Sequence, residues 1–186
     1  LQTIPTLKHF CANNTENERG TASSDVDMRT LNEYYYAAFE RPITSGGAYS
    51  VMVAYNELSG VPAVINPDIQ KVLKDRWGLG FVVTDGGDFS QNVTFHKYSE
   101  SHAETIALAI KNGTDVMTDC EDVVEAAVFE ALNSGLVSEE DIDKALYNSL
   151  LARFRLGEFD EKHPFSDVCE MMIDLSLIHI SEPTRL

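Results

Sequence analysis

The feature that most constrains the fold of this chain is a regular alternation of short apolar runs with amphipathic helical patterns. The runs cover Thr3–Leu7, Tyr49–Tyr55, Phe81–Thr84 and Asp115–Thr118, and none shows the strict polar alternation of a strand with one wet face. Continuous apolar runs of this length are typical of parallel strands that are buried on both faces. The alternation therefore predicts an α/β fold with a parallel sheet.

The segments between these runs carry recognisable helix ends. Residues that suit a helix N-cap stand at Ser24 (with Asp27), Asn66 (before Pro67), Ser101 (with Glu104) and Ser138. Glycines that suit a helix end stand at Gly78, Gly113 and Gly135. Small polar residues cap helix N-termini and glycine ends helices, so the pattern predicts four βα units and one further helix.

Polar residues follow each apolar run, and their positions favour a barrel over an open sheet. They are Lys8-His9, Tyr55-Asn56, Asp85 and Asp119. In a (β/α)8 barrel the carboxyl ends of several strands meet at one mouth and supply the active site. An open sheet would instead bring a glycine-rich phosphate loop, and Gly86-Gly87 is too short for one. We predict a partial (β/α)8 TIM-type barrel of about four βα units.

The predicted barrel segment covers residues 1–160, and 161–174 reads as the start of a linker. Residues 175–186 continue no helix stripe and no strand series, so we interpret them as a non-native or disordered tail. No charged start followed by an apolar core is visible. We expect the natural N-terminus to be missing and favour a cytoplasmic location.

Charge and cysteine usage exclude several classes of function. The chain has 14 Lys and Arg against 30 Asp and Glu, a net charge of −16 that repels nucleic acid and anionic membranes. No stretch approaches the roughly 20 apolar residues of a membrane span. Cys11, Cys120 and Cys169 are isolated and form neither a disulfide framework nor a metal motif. A neutral substrate such as a sugar suits this surface.

Four positions leave alternatives open when they are taken from the residues alone. Asp85, which is followed by two glycines, could project into a barrel mouth or could cap the next helix. Lys8 could grip sugar hydroxyls or act as the nucleophile of a Schiff-base lyase or aldolase. Met52 and Tyr55 could form a wall of a site or belong to the core.

Four ordered motifs resemble glycoside hydrolase family 3. Lys8–Arg19 (KHFCANNTENER) is similar to the family signature KHFxxNNxExxR, and Met52–Pro62 resembles the segment MxxYNxxxGxP. Leu73–Asp85 resembles the stretch LxxxWGFxGFVxSD that carries the family's nucleophile. Phe154–Asp160 follows the later barrel pattern. The resemblance runs from Lys8 to about Asp160 and places the chain in the C-terminal half of the family's N-terminal barrel domain.

The resemblance implies a fragment of a retaining, exo-acting β-glycosidase that hydrolyses terminal β-D-glucosyl or β-D-xylosyl residues without a metal or organic cofactor. Asp85 would be the nucleophile, kept ionised by nearby cations such as Lys8 and Arg19. The subsite for the terminal sugar of a neutral oligosaccharide or glycoside would be lined by Lys8, His9, Arg19, Met52 and Tyr55. The acid/base would come from a C-terminal α/β domain that this chain lacks.

One departure from the family pattern and two alternative interpretations leave the substrate and the activity of the chain open. Gly86 stands where the family often has Trp or Cys, so the preferred sugar is undetermined. Besides the Schiff-base lyase, a truncated product without function is the remaining alternative.

Overall fold

The computed structural model describes residues 3–162. Cys169, most of the predicted linker and the predicted tail at 175–186 lie outside these residues. The strands are β1 (Thr6–Phe10), β2 (Ser23–Ser24), β3 (Ser50–Val53), β4 (Glu57–Leu58), β5 (Val61–Pro62) and β6 (Phe81–Val83). The helices are α1 (Met28–Thr30), α2 (Ala37–Thr44), α3 (Asp88–Thr94), α4 (His102–Lys111), α5 (Glu121–Asn133) and α6 (Glu139–Arg155). Two π-helical segments cover Leu31–Tyr35 and Ile69–Arg76, and a 3-10 turn covers Ala63–Ile65.

The main sheet is parallel and its strands follow one another in the order β1-β3-β6. Val83 of β6 also forms a parallel bridge with Val116, which continues the same order by one more segment. Val51, Val53 and Val82 of this sheet are fully buried, and each buried side chain of this size contributes about 1.5–3 kcal/mol. The predicted α/β fold with a parallel sheet is confirmed.

The first strand begins later than the sequence pattern suggests. The prediction of Thr3–Leu7 is wrong, because the strand runs over Thr6–Phe10 and contains Lys8 and His9 instead of ending before them. Polar Lys8 and His9 looked like the end of an apolar run, but Phe10 is buried and pairs with Val53 after an irregularity in the register. The apolar pattern misses this extension because it depends on the pairing of Phe10 with Val53 in β3, a contact between distant segments.

The fourth predicted strand, Asp115–Thr118, is reduced to the single bridge at Val116. Side chains take over the pairing beyond it: the Thr118 N–H donates to Thr84 Oγ1 at 2.8 Å, and Thr118 Oγ1 donates to the Thr84 carbonyl at 2.6 Å. Backbone groups must find partners when they are buried, and hydroxyls can replace ladder bonds.

Most predicted helix ends are confirmed, and two starts are wrong. The helix predicted to begin at Asn66-Pro67 begins at Ile69, although Asn66 Oδ1 accepts from the Asp68 N–H at 2.9 Å just before it. Ser101 and Ser138 accept hydrogen bonds from the N–H groups of Glu104 and Asp141, as capping residues do. The first helix is instead capped by Asp27, whose carboxylate accepts from two backbone N–H groups. Ser24 lies in β2, where its hydroxyl donates to the carbonyl of Ala12.

A second, small sheet of β2, β4 and β5 was not predicted. Its strands have two residues each, which is too short for a periodic pattern. Ser59 and Gly60 both have positive φ, at 51° and 78°, and form the two-residue turn between β4 and β5. The Gly60 N–H donates to Ser23 Oγ at 2.8 Å, so the small sheet fixes the loop that follows the main strand β3.

Helix α6 packs only part of its apolar stripe against the rest of the protein. Ala145 is buried, whereas Leu146 and Phe154 of the same stripe are exposed, as is Tyr147. Within residues 3–162 no helix is long and apolar enough to cross a membrane.

Candidate functional site

The centre of the candidate site is a contact between Asp85 and His9. Asp85 follows β6 by two residues, and its Oδ2 lies 3.0 Å from Nε2 of His9 in β1. Its Oδ1 accepts the Gly86 N–H at 2.7 Å, which fixes the orientation of the carboxylate. β3 lies between these two strands, so the contact spans the sheet at the carboxyl end of β6. The His9 side chain is 28% exposed and the Asp85 side chain is 23% exposed, so both are accessible to a ligand.

Tyr55 and Arg19 stand beside this contact. The Tyr55 hydroxyl donates to the Gly86 carbonyl at 2.6 Å, and the Arg19 guanidinium lies 4.5 Å from the centre of the Tyr55 ring. Burial, and then the negative charge of Asp85, raises the pKa of Tyr55 above its ordinary value. The hydroxyl therefore stays protonated and remains a hydrogen-bond donor next to the Asp85 loop.

The predicted cationic surroundings of Asp85 differ from the observed ones. Among the ion pairs of the described part of the chain, neither Lys8 nor Arg19 pairs with Asp85. Arg19 pairs with Glu16 instead, at 2.5 Å. His9 and the Gly86 N–H occupy the two carboxylate oxygens instead. Arg19 lies near the site because its guanidinium packs on the face of the Tyr55 ring, a position that favours a cation.

Lys8 and Met52 lie next to the site without a direct polar contact to Asp85 in residues 3–162. Lys8 is exposed and lines an open cavity of about 520 Å³. The cavity also contains His9, Asn13, Asn14, Tyr34, Tyr35 and Phe39. Met52 is half-buried in β3 and pairs in register with Val83, two residues before Asp85. The geometry thus groups His9, Arg19, Tyr55 and Asp85, and leaves Lys8 and Met52 at the margin.

Asn56 and Asp119, which also follow predicted strands, serve the fold. The Asn56 amide donates to the Cys11 carbonyl and to Ser24 Oγ, at 3.3 and 3.1 Å, and the residue is buried. Asp119 accepts from the N–H and hydroxyl of Ser90 and so holds the first turn of α3. Cys11 is buried, which together with the charge of Asp68 raises the pKa of its thiol to about 12 and keeps it unreactive.

Asp88, in the first turn of α3, is a further carboxyl group near Asp85 that the sequence pattern did not single out. Its side chain is 1% exposed, and its Oδ2 has no hydrogen-bond partner within residues 3–162. Burial raises the pKa of Asp88 well above its ordinary range, and the neighbouring charges of Asp85 and Asp119 act in the same direction. Asp88 is therefore a buried carboxyl group that favours its protonated form more strongly than an ordinary aspartate does. Asp88 is the second aspartate of the sequence TDGGD, but an acidic residue in a first helical turn is an ordinary feature and does not indicate a site.

His96, after α3, is a second polar residue that the sequence did not single out. Its Nε2 lies 2.8 Å from the Tyr55 carbonyl oxygen, and its Nδ1 lies 3.1 Å from Oε1 of Glu57. Within residues 3–162 no group of three or more His, Cys, Asp or Glu side chains is arranged to hold a metal ion.

Known proteins resemble this chain over most of its length. No family model matches it. A probable exo-1,4-β-xylosidase of Aspergillus clavatus is 32% identical over 178 residues, which cover 90% of this chain and 23% of that protein. A β-glucosidase of Rhizobium radiobacter is 37% identical over 172 residues, which cover 91% of this chain and 19% of that protein. The chain thus spans less than a quarter of the length of these relatives.

Solved structures give the same result. A family 3 exo-β-xylosidase in complex with a xylobiose aziridine probe superposes with a TM-score of 0.81 at 26% identity, covering 89% of this chain and 22% of that one. A β-glucosidase of Erythrobacter marinus superposes with a TM-score of 0.78 at 27% identity, covering 88% of this chain and 22% of that one.

The α/β fold and these relatives, all of them named as glycosidases, place the chain among the glycoside hydrolases. More narrowly, it belongs to glycoside hydrolase family 3, as its four sequence motifs predicted.

Proposed function

We propose that the chain is the nucleophile-bearing part of a retaining, exo-acting β-glycosidase. The observation that carries this proposal is the contact between His9 Nε2 and Asp85 Oδ2 at 3.0 Å, which joins the first and third strands of a parallel sheet. A (β/α)8 barrel collects functional groups from separate strands in this way. The consecutive strand order, continued by the bridge at Val116, supports a section of such a barrel.

In the proposed reaction an oxygen of the Asp85 carboxylate attacks the anomeric carbon of the terminal sugar while the bond to the leaving oxygen breaks. A second carboxyl group protonates that oxygen, and the same group later removes a proton from the water that releases the sugar from Asp85. Two inversions give net retention. We assign the second carboxyl group to a region outside this chain, in a following α/β domain.

The neighbours of Asp85 keep it available for attack. The Gly86 N–H and the His9 imidazole each contact one carboxylate oxygen and so fix the orientation of the carboxylate. Tyr55 fixes the loop through the Gly86 carbonyl, and Arg19 adds positive charge across the Tyr55 ring. Lys8 and Met52, at the margin of this group, would contact the hydroxyls and the face of the bound sugar.

The proposed substrates are neutral oligosaccharides or glycosides with a terminal β-D-glucosyl or β-D-xylosyl residue. The relatives named above include enzymes of both kinds. Gly86 has no side chain that could contact the sugar, so the chain carries no bulky wall directly after its proposed nucleophile.

The test replaces Asp85 with Ala in the full-length enzyme that contains this chain. Turnover of an aryl β-glycoside should fall by several orders of magnitude, because no glycosyl-enzyme can form, and azide should restore part of it by standing in for the carboxylate. The matched control is Asp143→Ala, which removes an exposed carboxylate from α6. An Asp85→Ala enzyme as active as this control would refute the assignment.

A further inference from the structure

His96 is a fully buried imidazole held between two acceptors. Its side chain is 0% exposed, and that of Glu57, with which it pairs, is 16% exposed. The Nε2 atom lies 2.8 Å from the carbonyl oxygen of Tyr55, and the Nδ1 atom lies 3.1 Å from Oε1 of Glu57. Tyr55 lies just beyond the end of β3 and Glu57 begins β4, so one side chain spans the bend between the two strands.

The chemistry of these partners fixes the protons. A carbonyl oxygen can only accept, so Nε2 must carry a hydrogen. A neutral ring with that hydrogen has a bare Nδ1, whose lone pair would face the oxygen of a carboxylate. One further proton between Nδ1 and Oε1 removes this repulsion, whether it is assigned to the imidazole or to the carboxyl group. Both contacts are then hydrogen bonds, and the buried ring leaves no polar atom unpaired.

The same contacts connect His96 to the proposed nucleophile through Tyr55. His96 fixes the backbone of Tyr55, while the Tyr55 hydroxyl binds the Gly86 carbonyl directly after Asp85. The Tyr55 ring also supports the guanidinium of Arg19. Tyr55 is thus held at its carbonyl by a residue beyond the C-terminal end of α3, and at its hydroxyl by the loop that enters α3.

We propose that His96 is a positioning residue, which with Glu57 and their shared proton sets Tyr55 against the loop of Asp85. The proposal rests on the proposed glycosidase function, since its purpose is to align the nucleophile. Neither His96 nor Glu57 touches the sugar in this arrangement, and the two act only through Tyr55.

Two variants of the full-length enzyme separate the two contacts of the ring. In His96→Gln the side-chain amide reaches about as far as Nε2 and can still donate to the Tyr55 carbonyl. In His96→Asn the shorter amide reaches about as far as Nδ1, so it keeps Glu57 and loses Tyr55. We expect His96→Asn to lower kcat for an aryl β-glycoside by about ten- to a hundredfold with little change in KM. His96→Gln should stay within a few-fold of the unchanged enzyme.

A purely structural role predicts a different pattern. Both variants would then lose activity in proportion to their loss of Tm, and such a result would overturn the proposal. Equal, normal activity of both variants would overturn it as well. If the unchanged enzyme itself fails to cleave any aryl β-glycoside, the proposed function fails instead, so the two failures are distinguishable.

The shared proton has its own test, which does not depend on activity. In Glu57→Gln the amide can donate to a bare Nδ1, so the ring needs no further proton. Nitrogen NMR of labelled histidine and carbon NMR of the Glu57 carboxyl group should together show one proton between Nδ1 and Oε1 in the unchanged enzyme, and a bare Nδ1 in Glu57→Gln. The two signals are identified by their loss in His96→Gln and in Glu57→Gln. A bare Nδ1 beside an ionised Glu57 carboxylate in the unchanged enzyme would refute the shared proton.

Discussion

Replacing Lys74 with Met should weaken the sheet more than any surface substitution on this chain. Lys74 Nζ lies 2.7 and 2.6 Å from the two carboxylate oxygens of Asp115, and the two side chains are 9% and 2% exposed. Asp115 also accepts from the Val82 N–H at 2.8 Å and from the Asn148 amide at 2.9 Å. This one carboxylate therefore joins a π-helical segment, β6 and α6.

The expected magnitude follows from burial. Removing one partner of a buried ion pair costs about 3–5 kcal/mol, because the other charge is left uncompensated. Asp115 keeps two hydrogen bonds in Lys74→Met, so we expect the lower end, about 3 kcal/mol, which is roughly a hundredfold change in an opening equilibrium. Burial also lowers the pKa of Lys74, against the opposing effect of Asp115, so the lysine itself is costly to bury.

Hydrogen exchange of peptides from β6 in the full-length enzyme measures this change locally, which a single global unfolding energy does not. The control is Arg29→Met, which breaks an exposed ion pair with Glu33 (80% and 65% exposed) and should change local exchange only about twofold. Adding Asp115→Asn to Lys74→Met should recover stability, because it removes the uncompensated charge. Equal exchange in Lys74→Met and Arg29→Met, or a further loss in the double variant, would refute the reasoning.

Three further predictions concern other parts of the chain. Lys8→Met in the full-length enzyme should lower kcat/KM on an aryl β-glycoside by about ten- to a hundredfold at unchanged Tm, and unchanged kinetics would remove Lys8 from the site. Asp88→Asn should raise Tm by an amount that grows as pH rises above about 4, the ordinary pKa of an aspartate. The folded state keeps the proton of Asp88 that the unfolded state releases, so the stability of the unchanged enzyme falls as pH rises, and a pH-independent difference would contradict the raised pKa. The 186-residue chain expressed alone should aggregate or form even-numbered oligomers without glycosidase activity, because β1 and the segment at Val116 leave backbone edges unpaired within residues 3–162; light scattering that shows a monodisperse, active monomer would contradict this.

The sequence predicted what depends on periodicity and on local chemistry. Apolar runs located β3 and β6 and placed β1 three residues too early, and serine caps located the starts of α4 and α6. The motif resemblance predicted the family, and four of its residues, His9, Arg19, Tyr55 and Asp85, come together in the structure. His9, Tyr55 and Asp85 come together because they lie in or just after the carboxyl ends of β1, β3 and β6, which meet at one edge of the sheet. Their roles in catalysis and binding stay predictions.

What the sequence could not predict depends on contacts between distant segments. His96 is 41 residues from Tyr55, and nothing in its neighbourhood distinguishes it from a histidine on the surface. Asp88 looks like an ordinary acidic residue in a first helical turn, where it would favour the helix. Only its burial, together with the nearby charges of Asp85 and Asp119, raises the pKa of Asp88 well above the ordinary range. The charges around the proposed nucleophile are therefore set by packing. The motif identifies Asp85 as the candidate carboxylate. The buried residues packed near it, such as Asp88 and His96, lie outside the motif and only the structure reveals them.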